Sequence, residues 1–234
     1  MTAGGSVWAV IVAAGSGSRF GGHKQFATLG GREVAEWSIT AAARCCDGTV
    51  LVVPRGASPG CAPMVSRVVS GGPTRPASVR AGLGAVPVQA RFVVVHDAAR
   101  PLASDQVWRA VISAVREGAD AAVPCLPVTD TIKQLQPDGR LLTLQRSLLF
   151  AAQTPQAFLA ESLRAAHAGG GEATDDASLV EALGGTVVQV PGDATNFKLT
   201  TGWDLLVAEA LVSGGELKPG KLAERSGGVL GGDQ

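Results

Sequence analysis

The densest chemistry in the chain follows its first apolar run: Ala13-Ala14-Gly15-Ser16-Gly17-Ser18-Arg19-Phe20-Gly21-Gly22-His23-Lys24-Gln25. Glycines directly behind a strand let backbone N–H groups turn toward a bound phosphate, and the carboxyl end of a strand is where open α/β sheets hold ligands. The same glycines also suit a simple tight turn. Two cations, Arg19 and Lys24, stand where they could lie along a triphosphate. A dinucleotide-binding loop would need a third glycine closely spaced after the second and an acidic residue ending the next strand. Here Ser18-Arg19-Phe20 follow Gly17, and the second strand ends at Pro54-Arg55. Nor is this a Walker-type P-loop, because Lys24 precedes Gln25 rather than Ser or Thr and its spacing from Gly17 is wrong.

These residues need a scaffold, and β-branched runs alternate with helical patterns along most of the chain. Strands are expected at Val7 to Ala13, Thr49 to Val53, Arg67 to Val69, Phe92 to Val95, Ala121 to Leu126 and Thr186 to Val190. Several are continuous apolar runs, as in strands covered on both faces of a parallel sheet. Helices are expected at Glu33 to Cys46, Ala77 to Val86 and Ser104 to Glu117. The last carries Val107, Val111 and Val115 at a spacing of four behind a Ser104 cap. Such alternation predicts a three-layer, Rossmann-like α/β fold in a single domain over 1–234. Asp97 then follows a buried strand, where a carboxylate either faces a ligand or caps the next helix.

One segment, about 128–150, breaks the rhythm. Thr131 to Gln136 and Arg140 to Gln145 read as two polar strands around Pro137-Asp138-Gly139, whose residues suit a tight hairpin turn. A hairpin inserted in such a chain is an arm, either a surface excursion or a dimer contact. From 213 to 234 the glycine-rich composition suggests a flexible tail.

The 234 residues are 46% apolar, enough for one sizeable core, and 20 Lys plus Arg balance 20 Asp plus Glu. No net field draws in nucleic acid or an anionic membrane. The first apolar stretch, Val7 to Ala14, is far shorter than the roughly 18 residues of a membrane span, and a soluble cytoplasmic protein is expected. Cys45, Cys46, Cys61 and Cys125 form no CxxC pair, which favours small core residues over a zinc site or disulfide framework.

The remaining motifs carry a resemblance. The loop is followed by Gly71-Gly72 with Arg75 and Ser78, His96-Asp97-Ala98-Ala99-Arg100-Pro101, Thr129-Asp130-Thr131-Ile132-Lys133, Gln153-Thr154-Pro155-Gln156, Thr174-Asp175-Asp176-Ala177 and Asn196-Phe197-Lys198-Leu199-Thr200. In this order they resemble the 2-C-methyl-D-erythritol 4-phosphate cytidylyltransferase family, over roughly Val7 to Ala210. The resemblance implies a nucleotidyltransferase fold with a β-hairpin dimerisation arm, CTP and a polyol phosphate as substrates, Mg2+ as cofactor, and a homodimer.

By the same resemblance Arg19 and Lys24 stabilise charge on the triphosphate, while Arg146 and Lys198 hold the attacking phosphate. Ala13, Ala14, Gly15, Gly17, Gly72, Ser78 and Asp97 correspond to nucleotide-binding positions, and Arg100, Thr131 and Thr154 to substrate contacts. No metal ligand can be assigned. The arm is expected to reach across a two-fold axis, placing Arg146 and Thr131 in the neighbouring site. The implied chemistry is attack of a phosphate oxygen on the α-phosphorus of CTP. A phosphate monoester with a second pKa near ~6 is already anionic at neutral pH, so no general base is needed.

The sequence departs from the family at Pro73, where an acidic residue is common, and in the short insert between Arg19 and Lys24. His23, His96 and His167 read as structural, with His96 a candidate to orient Asp97. A ribitol 5-phosphate cytidylyltransferase would share the loop and CTP. An NADP-linked oxidoreductase lacks a candidate proton donor, since the chain has no Tyr. A nucleotide-binding regulatory module would not require Lys198 and Arg146.

Overall fold

A computed structural model describes residues 5–15, 17, 20, 22, 24–169 and 175–214. The β-branched runs become strands β1 (Val7–Val12), β4 (Gly48–Val53), β5 (Arg67–Ser70) and β6 (Phe92–Asp97), with a minor hairpin β2 (Thr28–Leu29) and β3 (Arg32–Glu33) between the first two. Further along lie β7 (Ala121–Pro127), β8 (Lys133–Leu135), β9 (Leu141–Thr143), β10 (Phe150–Ala152), β11 (Gln156–Leu159) and β12 (Val187–Pro191). Helices α1 (Val34–Cys45), α2 (Arg75–Ala85) and α3 (Asp105–Arg116) fall where the apolar periodicity predicts them. Helices α4 (Ala160–Ala168), α5 (Ala177–Ala182) and α6 (Gly202–Ser213) complete the described elements.

The main sheet runs β5, β4, β1, β6, β11, β7, with β12 and β10 also paired to β7. Its heart is parallel: β1 pairs with both β4 and β6, and β4 with β5. β11 enters antiparallel between β6 and β7, β10 is antiparallel to β7, and β12 is parallel to it.

Alternation along these strands splits the core in two. Val7, Ala9, Ile11, Leu51, Val53, Phe92 and Val94 face one side, with Ile39 of α1 and Trp108, Val111 and Val115 of α3. Val10, Val50, Val52, Val93 and Val95 face the other, with Val79 of α2, Leu163 of α4 and Val180 of α5. Period-two side chains between period-3.6 helices make the three layers that the alternation predicts. A smaller cluster of Leu29, Val34, Leu102, Leu199 and Ala208 seats α6.

Two expectations needed correction. Ser104 stands at the N-cap of α3, but its side chain makes no capping hydrogen bond. The arm's strands are shorter than expected, Lys133–Leu135 against Leu141–Thr143, although Leu144 N–H still donates to Ile132 O at 3.0 Å. Gly139 takes φ 82° at the turn, where a side chain would strain the backbone. The expected tail begins with the end of α6; its residues 215–234 lie outside those described. The cysteines sit as core groups: Cys61 is buried, and Cys45, Cys46 and Cys125 are half-buried.

Candidate active site

The parallel pairing brings three loops to one edge. Ala13 N–H donates to Val52 O, Ala98 N–H to Val12 O and Gly71 N–H to Val53 O, which continues the pairing past the strand ends. A cleft of about 430 Å³ opens there, a size suited to a small ligand. Its lining includes Ala13, Ala14, Gly15, Gly17, Gly72, Ser78, Asp97, Lys24 and Lys198. Nine residues that the sequence singles out, scattered between positions 13 and 198, therefore meet in one place.

The glycines are there for space. Gly17 has φ +64°, and a Cβ at this position would collide with the carbonyl oxygen of Gly22. A Cβ on Gly71 would strike the side chain of Ala14, so the two loops that wall the cleft touch backbone to side chain. Gln25, only 3% exposed, donates from Nε2 to Gly15 O at 3.1 Å and braces the first loop from behind. Opposite, Gly72 N–H donates to Ser78 Oγ at 3.2 Å, and Ser78 Oγ donates to Thr74 O at 3.0 Å. Thr74 in turn caps α2 by accepting from Ala77 N–H. The N-terminus of α2 thus stands at the cleft wall, where a helix favours anions.

Asp97, 8% exposed, is the acidic residue among the described lining. Its Oδ2 accepts from Lys198 Nζ at 2.6 Å and its Oδ1 from Arg75 Nε at 3.1 Å. Burial by itself would raise the pKa of this carboxyl. Arg75 and Lys198 outweigh burial and hold it well below the usual carboxylate range, so it is ionised. The ion pairs answer the helix-cap alternative: the side chain faces the cleft.

His96 supports Asp97 through an intermediary. Burial pushes its imidazole pKa down to about 4, so the ring is neutral at pH 7. Nε2 lies 3.1 Å from Arg100 O, which can only accept, so Nε2 carries the proton and Nδ1 is the acceptor. Thr154 Oγ1, 3.1 Å from Nδ1, must then donate to it while accepting from Asp97 N–H at 3.0 Å. The Thr154 hydroxyl is committed to this buried relay. Arg100 donates to Asn196 O at 2.8 Å, tying the 196–200 segment to the loop after β6. Leu199 N–H donates to Ala99 O at 2.8 Å and completes the tie. Lys24 Nζ reaches Leu199 O at 2.6 Å, so the glycine loop closes against the same segment.

Arg146 and Thr131 are elsewhere. Both are exposed on the arm, and Arg146 donates to Thr129 O at the arm's base. Neither lines the cleft of its own chain. Arg19 lies outside the described residues. Sequence reasoning gave no site role to Arg75, Asp176 or His167, which form a chain running from the cleft wall into the interior: Arg75, a lining residue beside Asp97, donates from Nη1 to buried Asp176 Oδ2 at 2.9 Å, and buried His167 Nε2 lies 3.0 Å from Asp176 Oδ1. Arg75 and Asp176 did fall inside motifs, and that is the signal from which they could have been found. Among the described residues no three His, Cys, Asp or Glu are grouped to hold a metal, and no helix is long and apolar enough to cross a membrane.

A doubly covered, parallel-centred sheet that presents a glycine loop, a helix N-terminus, one carboxylate and two lysines to a single cleft has the architecture of a nucleotidyltransferase of the Rossmann-like type. The model of the 2-C-methyl-D-erythritol 4-phosphate cytidylyltransferase family matches residues 7–214. The chain belongs to that family. It is 44% identical over 220 residues to the enzyme of that name from Rhodococcus jostii, covering 90% of this chain and 97% of the relative. It is 43% identical over 220 residues to a bifunctional enzyme IspD/IspF of Clavibacter michiganensis; the match covers 87% of this chain but spans only 54% of that relative. A crystal structure of the Thermus thermophilus 2-C-methyl-D-erythritol 4-phosphate cytidylyltransferase superposes with a TM-score of 0.74 at 40% identity, over 88% of this chain and 98% of that one.

Proposed function

We propose that the chain transfers a cytidylyl group from CTP to 2-C-methyl-D-erythritol 4-phosphate, releasing pyrophosphate, in the non-mevalonate route to isoprenoid precursors. The observation that carries this reading is the convergence of the glycine loop, the Gly71-Gly72 turn, Asp97, Lys24 and Lys198 on one cleft. Backbone and small side chains of the two loops receive base, ribose and phosphates. Lys24, with Arg19, neutralises charge that builds on the triphosphate as the α–β bridging P–O bond breaks. Lys198, with Arg146, holds the acceptor phosphate so that one of its anionic oxygens forms the new bond to the α-phosphorus. No proton has to move, and the work is orientation and charge neutralisation.

The site suits Mg2+ as cofactor. One ionised carboxylate beside a triphosphate matches an ion that keeps several waters and leans on substrate phosphates. Asp97 would hold it, and the ion would supply neutralisation of the phosphate oxygens.

Catalysis in a homodimer accounts for the place of Arg146. Leu135, Leu141, Leu142 and Leu148 are between 51% and 71% exposed on or beside the arm, and an isolated two-stranded hairpin is marginal in water. A second copy would cover them and carry Arg146 and Thr131 to its site. The balanced charge and the absence of a spanning helix among the described residues fit a cytoplasmic enzyme with small-molecule partners.

Pyrophosphate release tests the reading directly. CTP with methylerythritol phosphate and Mg2+ is expected to react far faster than ATP, GTP or UTP, and omission of acceptor or metal should abolish release. Comparable rates with another nucleotide would overturn the base assignment, and faster reaction with ribitol 5-phosphate would overturn the acceptor.

A further inference from the structure

The geometry points to Asp176 as a positioning residue for Asp97, acting through Arg75 and steadied by His167; this deepens the nucleotide site proposed above and rests on that reading of Asp97. Asp176 does not line the cleft. It is 1% exposed, and His167 behind it is 4% exposed. A carboxylate so deeply placed survives only when its oxygens are paired and hydrogen-bonded. Asp176 divides its two oxygens between two partners: Oδ2 accepts from Arg75 Nη1 at 2.9 Å, and Oδ1 lies 3.0 Å from His167 Nε2.

The consequence lies at Arg75. A guanidinium beside a lone carboxylate tends to grip both of its oxygens in a fork. Here Asp176 anchors Nη1 and so fixes the guanidinium, which presents Nε to Oδ1 of Asp97 at 3.1 Å, while Oδ2 bonds Lys198 instead. Oδ2 is the oxygen that meets Lys198 at 2.6 Å, and the Lys198 side chain is 39% exposed at the cleft. Asp97 is thereby fixed through Oδ1 by Arg75, itself at the cleft wall, and Oδ2 is left to Lys198 and to incoming ligand groups that compete for it. The backbone of Asp97 is held independently through Thr154 and His96, so Arg75 and Asp176 govern the side chain. Residues 75, 97, 176 and 198 come from four separate motifs; Arg75 and Asp176 are 101 positions apart, as are Asp97 and Lys198. Only the fold shows them as one chain of charges.

A double-mutant cycle tests this. CTP affinity would be measured by calorimetry with and without Mg2+, and kcat and KM by pyrophosphate release, for the full chain and for Asp176→Asn, Asp97→Asn and the double variant. Asp176→Asn is expected to weaken CTP binding in the presence of Mg2+ and to lower kcat/KM by about 10-fold or more, while binding without Mg2+ changes less. In the Asp97→Asn background the same change should have less than about a 2-fold effect, because residues that act through one another are not additive. Independent, multiplying effects would overturn the proposal and leave Asp176 a structural group. If Asp97→Asn alone leaves binding and turnover intact, the reading of Asp97 is what fails, and the proposal falls with it.

Thermal unfolding checks each variant. Should Asp176→Asn not fold, the pair His167→Leu and His167→Gln carries the same test. Gln keeps a donor near the Nε2 position and is expected to retain Mg2+-dependent CTP binding that Leu loses. Equal behaviour of the two in binding would overturn the proposal.

Discussion

Lys24 and Lys198 reach the cleft by different routes, and each is already engaged before any ligand arrives: Lys24 with Leu199 O, Lys198 with Asp97. Exchanging these partners for phosphate oxygens costs little reorganisation, as preorganised charge requires. Lys24→Ala and Arg19→Ala are each expected to lower kcat by about 100- to 1,000-fold, the usual cost of one lost transition-state contact, with a much smaller change in KM for CTP. Weak binding with normal turnover at saturation would reduce these residues to ground-state contacts. Gly17→Ala should fold, yet its kcat/KM should fall by about 10-fold or more, since positive φ and a collision with Gly22 O force the loop open at a cost of about 1–3 kcal/mol. Circular dichroism and steady-state kinetics on the same preparation would separate the two effects. The loop was readable in the sequence because its glycines and cations are contiguous. The Arg75–Asp176–His167 chain was not, because motifs mark Arg75 and Asp176 one at a time and no local pattern pairs residues 101 positions apart.

The parallel centre of the sheet was legible for the same reason that it is stable: Val7–Val12, Gly48–Val53 and Phe92–Asp97 are apolar on both faces, and each face has its own layer of helices. The later elements were harder to read. β10 and β11 are three and four residues long, and their existence depends on pairing with β7 and β6, which no local pattern encodes. α6 is apolar on nearly every side, so it offers no stripe to detect. Its start is nonetheless well specified. Thr201 and Asp204 form a capping box, and Asp204 also accepts from Thr200 N–H and Oγ1, both at 2.7 Å, two residues beyond Lys198. Partial burial tends to raise the Asp204 pKa, but the donors of Thr200 and Thr201 outweigh it and hold the carboxyl at about 2. The folded value lies below the ordinary 3.8, so this stabilisation is present above pH 3.8 and is lost as pH falls through about 2. Asp204→Ala is expected to cost about 1 kcal/mol, or roughly 2–4 °C in unfolding midpoint. Asp204→Asn should flatten the acid limb of the stability profile. Calorimetric scans between pH 2 and pH 7, taken as a rough working window around that titration, would check both.

At the scale of the whole molecule, one chain places Lys24, Asp97 and Lys198 together but holds Arg146 out on the arm. A shared site predicts complementation. Inactive Lys24→Ala subunits exchanged with inactive Arg146→Ala subunits should recover activity, because one site of each mixed dimer would receive both functional residues. If Arg146 serves its own chain, both sites stay defective; no recovery despite exchange confirmed by native mass spectrometry would refute sharing. The central claim concerns what any such site does: it brings two phosphates together and transfers the cytidylyl group directly, with no protein nucleophile. The most direct measurement is the stereochemical course at the α-phosphorus, using CTP with sulfur replacing one α-phosphate oxygen in a single configuration. Direct in-line transfer predicts inversion in the cytidylylated product. Retention would mean two displacements through a cytidylyl-enzyme intermediate, and would contradict a site built from positioning cations alone.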